Sequence, residues 1–166
     1  VVGIAGSDEK CRWLTDEDGF DAAINYKTED VGAEHDKHCP DGIDINFENV
    51  GGEIMETVIA RLNDFSRMPL CGVISTYNAD PSTTTGPKNF DNLLMRRTKL
   101  QGFIIIDYLD RFAEGAAAMG QWLMEGKLKF ETDMVDGLEN APTALGRLFE
   151  GANLGKLVLK VSEPPA

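Results

Sequence analysis

A chain of 166 residues with 42% hydrophobic and 27% charged residues fits one domain and can bury a real core. Its formal net charge of −12 excludes a general nucleic-acid binder, which needs a basic surface, and any anionic ligand would need a local basic spot. No apolar run approaches the ~20 residues of a membrane span, and three cysteines without CxxC spacing point to free thiols in a reducing, cytoplasmic setting.

The chain opens on VVGIAG, already strand-like and without an initiator Met, as a piece of a longer protein would. Val1 to Ala5 reads as a strand, Gly6 as a turn, and Ser7 as the N-cap of a helix with Asp8 and Glu9 in its first turn. Gly19 ends that helix, and a short strand follows from about Ala22 to Tyr26. Thr28 to Pro40 is expected to be a surface helix. Ile43, Ile45 and Phe47 alternate with polar residues as a strand does, and Gly51 and Gly52 turn the chain into a helix over Glu53 to about Asn63, with Ile54, Val58 and Leu62 on one face.

The stretch LCGVISTYN, Leu70 to Asn78, reads as a buried parallel strand whose carboxyl end turns polar. Ligands collect at the carboxyl ends of such strands, so Ser75, Thr76, Tyr77 and Asn78 are where chemistry is sought. Asp80 to Lys88 is linker-like and placed where a loop would cover a ligand. A short helix over Asn89 to Thr98 leads to the strand LQGFIIID, and Phe112, Ala116, Met119 and Leu123 mark a helix that closes at Gly126. The remainder holds a strand in KFETDMV, a helix from about Asn140 to Glu150 capped by Gly151, a strand KLVLKV, and a tail at Pro164 and Pro165 that is expected to be disordered. Alternating strands and helices predict an α/β fold with a doubly wound parallel sheet.

Four clusters carry candidate chemistry. In a dinucleotide fold the AGSDEK turn places Gly6 where an acid would favour NAD. Gly6 with Ser7 and Lys10 instead leaves room, a hydroxyl and a cation for a 2′-phosphate, which favours NADP; a plain N-capped helix is the competing account. ENVGG sets Asn49 and two glycines at a strand end, suited to a closely approaching ligand or to an ordinary turn into a helix. HDKHC offers His35, His38 and Cys39 to a soft metal but reads better as a solvated, charged face. Tyr77 is either a proton donor to a carbonyl oxygen or a buried phenol tied to the backbone.

Taken in order, VGIAGSDEK, GFDAAINYKT, GIDINFENVGG, CGVISTYN, LQGFII, EGKLKF, GLENAP and EGANLGKLVLKV resemble the carboxyl-terminal half of a zinc-independent medium-chain dehydrogenase/reductase. The branch is that of prostaglandin, alkenal and curcumin reductases, and the resemblance spans nearly the whole chain. It implies NADPH-dependent reduction of a carbon–carbon double bond conjugated to a carbonyl, with a small-molecule substrate, a homodimeric protein and no bound metal. Lys10 would bind the 2′-phosphate with Ser7 beside it, and Tyr26 would lie against the adenosine. Asn49 would sit on the nicotinamide side, Cys71 and Tyr77 would line the cleft with Tyr77 touching the substrate oxygen, Phe103 and Ile105 would flank the nicotinamide, and Asn153 would reach the cofactor from the last segment.

The resemblance also implies a partial Rossmann domain over residues 1–128 and a return segment over 129–166 that packs on a substrate domain. The family's first strand and glycine-rich turn lie upstream of Val1, so in the strand order 3-2-1-4-5-6 the central strand is absent and two open edges are expected. The chain alone is expected to be inactive. A quinone reductase of the same superfamily, or a non-catalytic nucleotide-binding or oligomerisation module, are the alternatives; a methyltransferase is disfavoured by the lack of an acid after the first strand.

Overall fold

Parallel strand pairing organises every part of this chain. The computed structural model describes residues 1–80 and 82–162; Pro81, inside the expected loop, and the Pro164 and Pro165 tail lie outside them. The chain divides into two compact units, Val1–Lys27 together with Glu114–Ala166, and Thr28–Ala113.

In the first unit β1 (Val2–Ala5) and β2 (Ala22–Asn25) pair in parallel around helix α1 (Asp8–Asp16). Ser7 caps α1 as its residue type predicts: its backbone is extended and its hydroxyl accepts from the Lys10 amide at 3.3 Å, with Asp8 and Glu9 in the first turn. Later in the chain, β6 (Thr132–Asp136) and β7 (Lys156–Lys160) pair in parallel across helix α6 (Ala141–Glu150). Pro142 sits in the first turn of α6 and Gly151 ends it in the left-handed conformation, φ +64°.

The second unit contains α2 (Val31–His38), β3 (Ile43–Ile45), α3 (Gly52–Ile59), β4 (Leu62–Leu70), α4 (Asp91–Met95) and β5 (Lys99–Gly102). Its three strands form one parallel sheet in the order β3-β4-β5. Val58, Ile59, Leu62, Met68 and Leu93 make its core, with Ile43 and Met55 packed against them.

Three expectations change. The buried strand is Leu62–Leu70, not Leu70 to Asn78; the later stretch leaves the sheet and makes a 3-10 turn at Ile74–Thr76. Helix α3 stops at Ile59, and Leu62, which continues its i, i+4, i+8 series, is the first inward residue of the strand. The polar run Asn63, Asp64, Ser66 and Arg67 hides β4, and its backbone is irregular: Phe65 takes φ +61° and the pairing with β3 shifts register. Likewise LQGFIIID is a strand only to Gly102. Ile104, Ile105 and Ile106 are each about 60% exposed, and a 3-10 helix begins at Ile105. The α/β fold with parallel strands holds, in three sheets, β1-β2, β3-β4-β5 and β6-β7. Among the described residues β1 pairs with β2 alone and β3 with β4 alone, so each keeps one edge without a strand.

Replacing the fully buried Met68 by Ala is expected to cost about 2–5 kcal/mol, from lost burial and the cavity left behind. Met119→Ala on α5 (Phe112–Met124), where the side chain is half exposed, is expected to cost about 0.5 kcal/mol or less. Urea denaturation of the two variants measures the contrast.

Candidate functional site

The second unit sets its strand ends abreast. Glu48 bridges Leu70 in parallel, and Leu70 pairs with Gly102. Asn49, Cys71 and Phe103 therefore stand one residue beyond the sheet on three adjacent strands, which lie ~4.8 Å apart. The register thus brings together three of the residues expected from the sequence. Phe103 is fixed by its amide, which donates to the Leu70 carbonyl at 3.1 Å, and by edge contacts to Phe47 and Tyr108, each with ring centres 6.2 Å apart. From Phe103 a groove of about 250 Å³ runs down the face of β4 and β5, lined also by Arg67, Pro69, Lys99, Gln101 and Tyr108. Ile105 stands in the exposed 3-10 helix beyond.

Segments 48–52 and 71–77 are stitched together at this rim. The amides of Ile74 and Ser75 donate to the carbonyls of Asn49 and Val50 at 3.3 and 2.9 Å, and the Cys71 amide donates to the Glu48 carbonyl at 2.8 Å. Gly51 takes φ +76° and ψ −163°, a conformation open essentially to glycine alone. Gly72 is needed for close approach: a β-carbon there would stand 2.5 Å from the side-chain oxygen of Asn49 and 3.1 Å from the Tyr77 hydroxyl. Asn49 and Tyr77 thus converge on one glycine. Tyr77 is 61% exposed, against the account in which its phenol is buried on the backbone. Cys71 is an exposed free thiol.

In the first unit the same logic applies at β1 and β2. Ala5 pairs with Asn25, and the Tyr26 amide donates to the Ala5 carbonyl at 3.1 Å, so Gly6 and Tyr26 lie side by side past the strand ends. A β-carbon at Gly6 would stand 3.1 Å from the Tyr26 ring, 3.2 Å from its hydroxyl and 3.3 Å from Cε of Lys27. The Asp8 carboxylate accepts from the Asn25 side-chain nitrogen at 2.6 Å. The ammonium of Lys10 donates to the Gly151 carbonyl at 2.6 Å, which fastens the end of α6 to the first turn of α1. Asn153, two residues on, donates to the Gly155 carbonyl at 2.7 Å.

Chain and geometry together define a half of a nucleotide-dependent dehydrogenase fold, and comparison with known proteins bears this out. The family model for zinc-binding dehydrogenases matches residues 19–159, and the chain belongs to that family. It is 49% identical over 166 residues to a protein of Bacillus subtilis described as a putative NADP-dependent oxidoreductase, and 43% identical to the NADPH-dependent curcumin reductase of Escherichia coli. Those alignments take in 99% and 98% of this chain but 49% and 48% of the relatives, so the chain spans about half their length. The crystal structure of CurA from Vibrio vulnificus in complex with NADPH superposes with a TM-score of 0.91 at 47% identity, covering 99% of this chain and 50% of that one. The quinone oxidoreductase of Escherichia coli shares the fold, at a TM-score of 0.79 and 18% identity.

Two residues of the site escape a reading by motif. Glu48 is 3% exposed, and its carboxylate holds the turn that carries Asn49; its only signal is an acid three residues before a glycine pair at a strand end. Gly72 looks like one more strand residue until the chain is seen to leave the sheet beside it.

The HDKHC segment corrects another expectation. His35 is not on a solvated face but 4% exposed, and burial, reinforced by the Arg61 guanidinium, lowers its pKa below the ordinary histidine value. His38 faces Glu34 at 3.2 Å, and burial raises the Cys39 thiol pKa. Among the described residues no three His, Cys, Asp or Glu side chains converge, so the residues present do not fit the zinc in the family's description. The lowered His35 pKa means that the unfolded chain takes up the proton first. Stability is then full above pH ~6.5 and is lost as pH falls through that value toward the folded-state pKa. Denaturation midpoints at pH 7.5 and 5.5 are expected to fall in the native protein, and to fall less in His35→Gln.

Proposed function

We propose that this chain is the NADP(H)-binding part of an oxidoreductase that reduces a carbon–carbon double bond conjugated to a carbonyl. The observation that carries the reading is the turn after β1. Glycine stands at the strand end, the Ser7 hydroxyl and Lys10 ammonium lie in the first turn of α1, and of the two carboxylates there, Asp8 and Glu9, the first accepts a hydrogen bond from Asn25. These donors fit a 2′-phosphate, with Lys10 exchanging the Gly151 carbonyl for a phosphate oxygen that also satisfies its charge. Tyr26 supplies its ring at the same strand end, and Asn153 follows the carbonyl that Lys10 releases. The names of the Escherichia coli curcumin reductase and of a 42% identical 2-alkenal reductase from tobacco support the substrate class.

NADPH, when bound, supplies the hydride for the β-carbon of the conjugated system. The chain's own residues orient and polarise. Asn49 hydrogen-bonds on the nicotinamide side, Phe103 and Ile105 flank that ring and keep water from it, and Cys71 lines the same cleft. The exposed Tyr77 hydroxyl donates to the carbonyl oxygen, where negative charge collects as the double bond shifts. Residues 1–128 form the nucleotide-binding part in this reading, and 129–166 pack on a substrate domain. The protein works as a cytoplasmic homodimer.

The test is NADPH oxidation by the full-length protein with an α,β-unsaturated aldehyde or ketone beside a quinone. Turnover of the quinone alone would replace the reading. Lys10→Ala is expected to weaken NADPH binding by about 10- to 100-fold, the worth of a charge-assisted hydrogen bond, and to leave NADH nearly unchanged. Equal losses would remove its phosphate role. Tyr77→Phe is expected to lower turnover on the order of 10²-fold with nucleotide affinity intact, and an unchanged rate would end its part in the chemistry.

A further inference from the structure

We propose that Glu48 is the positioning residue of this site: it acts through Asn49 and the Gly72–Tyr77 segment, on the reading that these meet the nicotinamide and the substrate. An acid only 3% exposed is unusual unless its oxygens are satisfied, and here they are. Oε1 accepts from the amides of Val50 and Gly51 at 2.8 and 2.7 Å, and Oε2 accepts from the side-chain nitrogen of Asn46 at 2.9 Å. The backbone of the same residue holds both neighbouring segments. Its amide donates to the Pro69 carbonyl at 2.9 Å, and its carbonyl accepts from Cys71 at 2.8 Å and Gly72 at 3.3 Å.

Helix α3 begins without a side-chain cap, because Gly51 at its N-cap position has none to offer. Glu48 instead binds the two amides just ahead of the helix, those of Val50 and Gly51, and in doing so it clamps Asn49 from both sides. That clamp decides where the Asn49 amide lies against Gly72, and it sets the carbonyls of Asn49 and Val50 on which Ile74 and Ser75 hang, one turn before Tyr77. Position 51 cannot supply a capping side chain, because its φ of +76° is open essentially to glycine. A buried acid three residues earlier, bound on both oxygens, fixes the loop that leads into the helix.

The test compares Glu48→Met, which keeps length and loses both acceptors, with Glu48→Gln, which keeps an acceptor for the two amides, in the full-length protein well below each melting temperature. Glu48→Met is expected to lower kcat/KM for the conjugated substrate by about 100-fold, the scale of a misplaced site, and Glu48→Gln to recover most of it. The affinity for 2′,5′-ADP, read by the residues after β1 and β2, is expected to stay constant in both. A folded Glu48→Met protein with native kcat/KM, or one that loses 2′,5′-ADP affinity in step with turnover, overturns the proposal. Should the Met variant fail to fold, Glu48→Asp decides: it keeps the charge but falls short of the amides, and native turnover in it is equally fatal. If the native protein turns over no conjugated substrate with NADPH, the functional reading falls and takes this proposal with it. If Tyr77→Phe impairs turnover and the Glu48 variants do not, this proposal falls alone.

Discussion

Register between parallel strands is the constraint on which the site depends. A strand end carries chemistry only if its neighbours end at the same height, and in the second unit Glu48, Leu70 and Gly102 are held level by backbone pairing. The side chains that follow then share one rim without any loop having to fold over to gather them. The first unit repeats the arrangement with two strands, where Ala5 and Asn25 are level and Gly6 and Tyr26 follow. Hydrogen bonds of the sheet thus do the positioning that a lone motif on a flexible loop cannot do.

Much of the first unit was legible in the letters because its signals are local. Ser7 before two acids, Pro142 in a first turn and Gly151 at a helix end each act within a few residues, and each stands where its chemistry predicts. β4 was not legible for the opposite reason. Its inward residues Leu62, Ser66 and Met68 include a serine, its middle is interrupted by a positive-φ phenylalanine, and its first residue keeps phase with the preceding helix. Pattern reading therefore moved the strand downstream onto the more apolar LCGV, although the polar tip of that stretch still lies next to the sheet end.

The buried polar groups were the other blind spot. His35 and Glu48 sit in sequences rich in charge, where exposure is the ordinary expectation, and both are nearly inaccessible. The Arg61 guanidinium acts on the first from far along the chain, and the 69–72 segment holds the backbone of the second. No local pattern reports such partners, whereas Ile24 and Val58 announce themselves by type alone.

The crowding around Gly6 has an evolutionary side. A carboxylate on the strand end is the common way to grip a ribose whose hydroxyls are both free, and a β-carbon at Gly6 would ask Tyr26 and Lys27 to give by a few tenths of an ångström. A lineage drifting toward the unphosphorylated coenzyme therefore meets both side chains at that codon. Both must yield a little before a carboxylate fits, so sterics add to charge at this position.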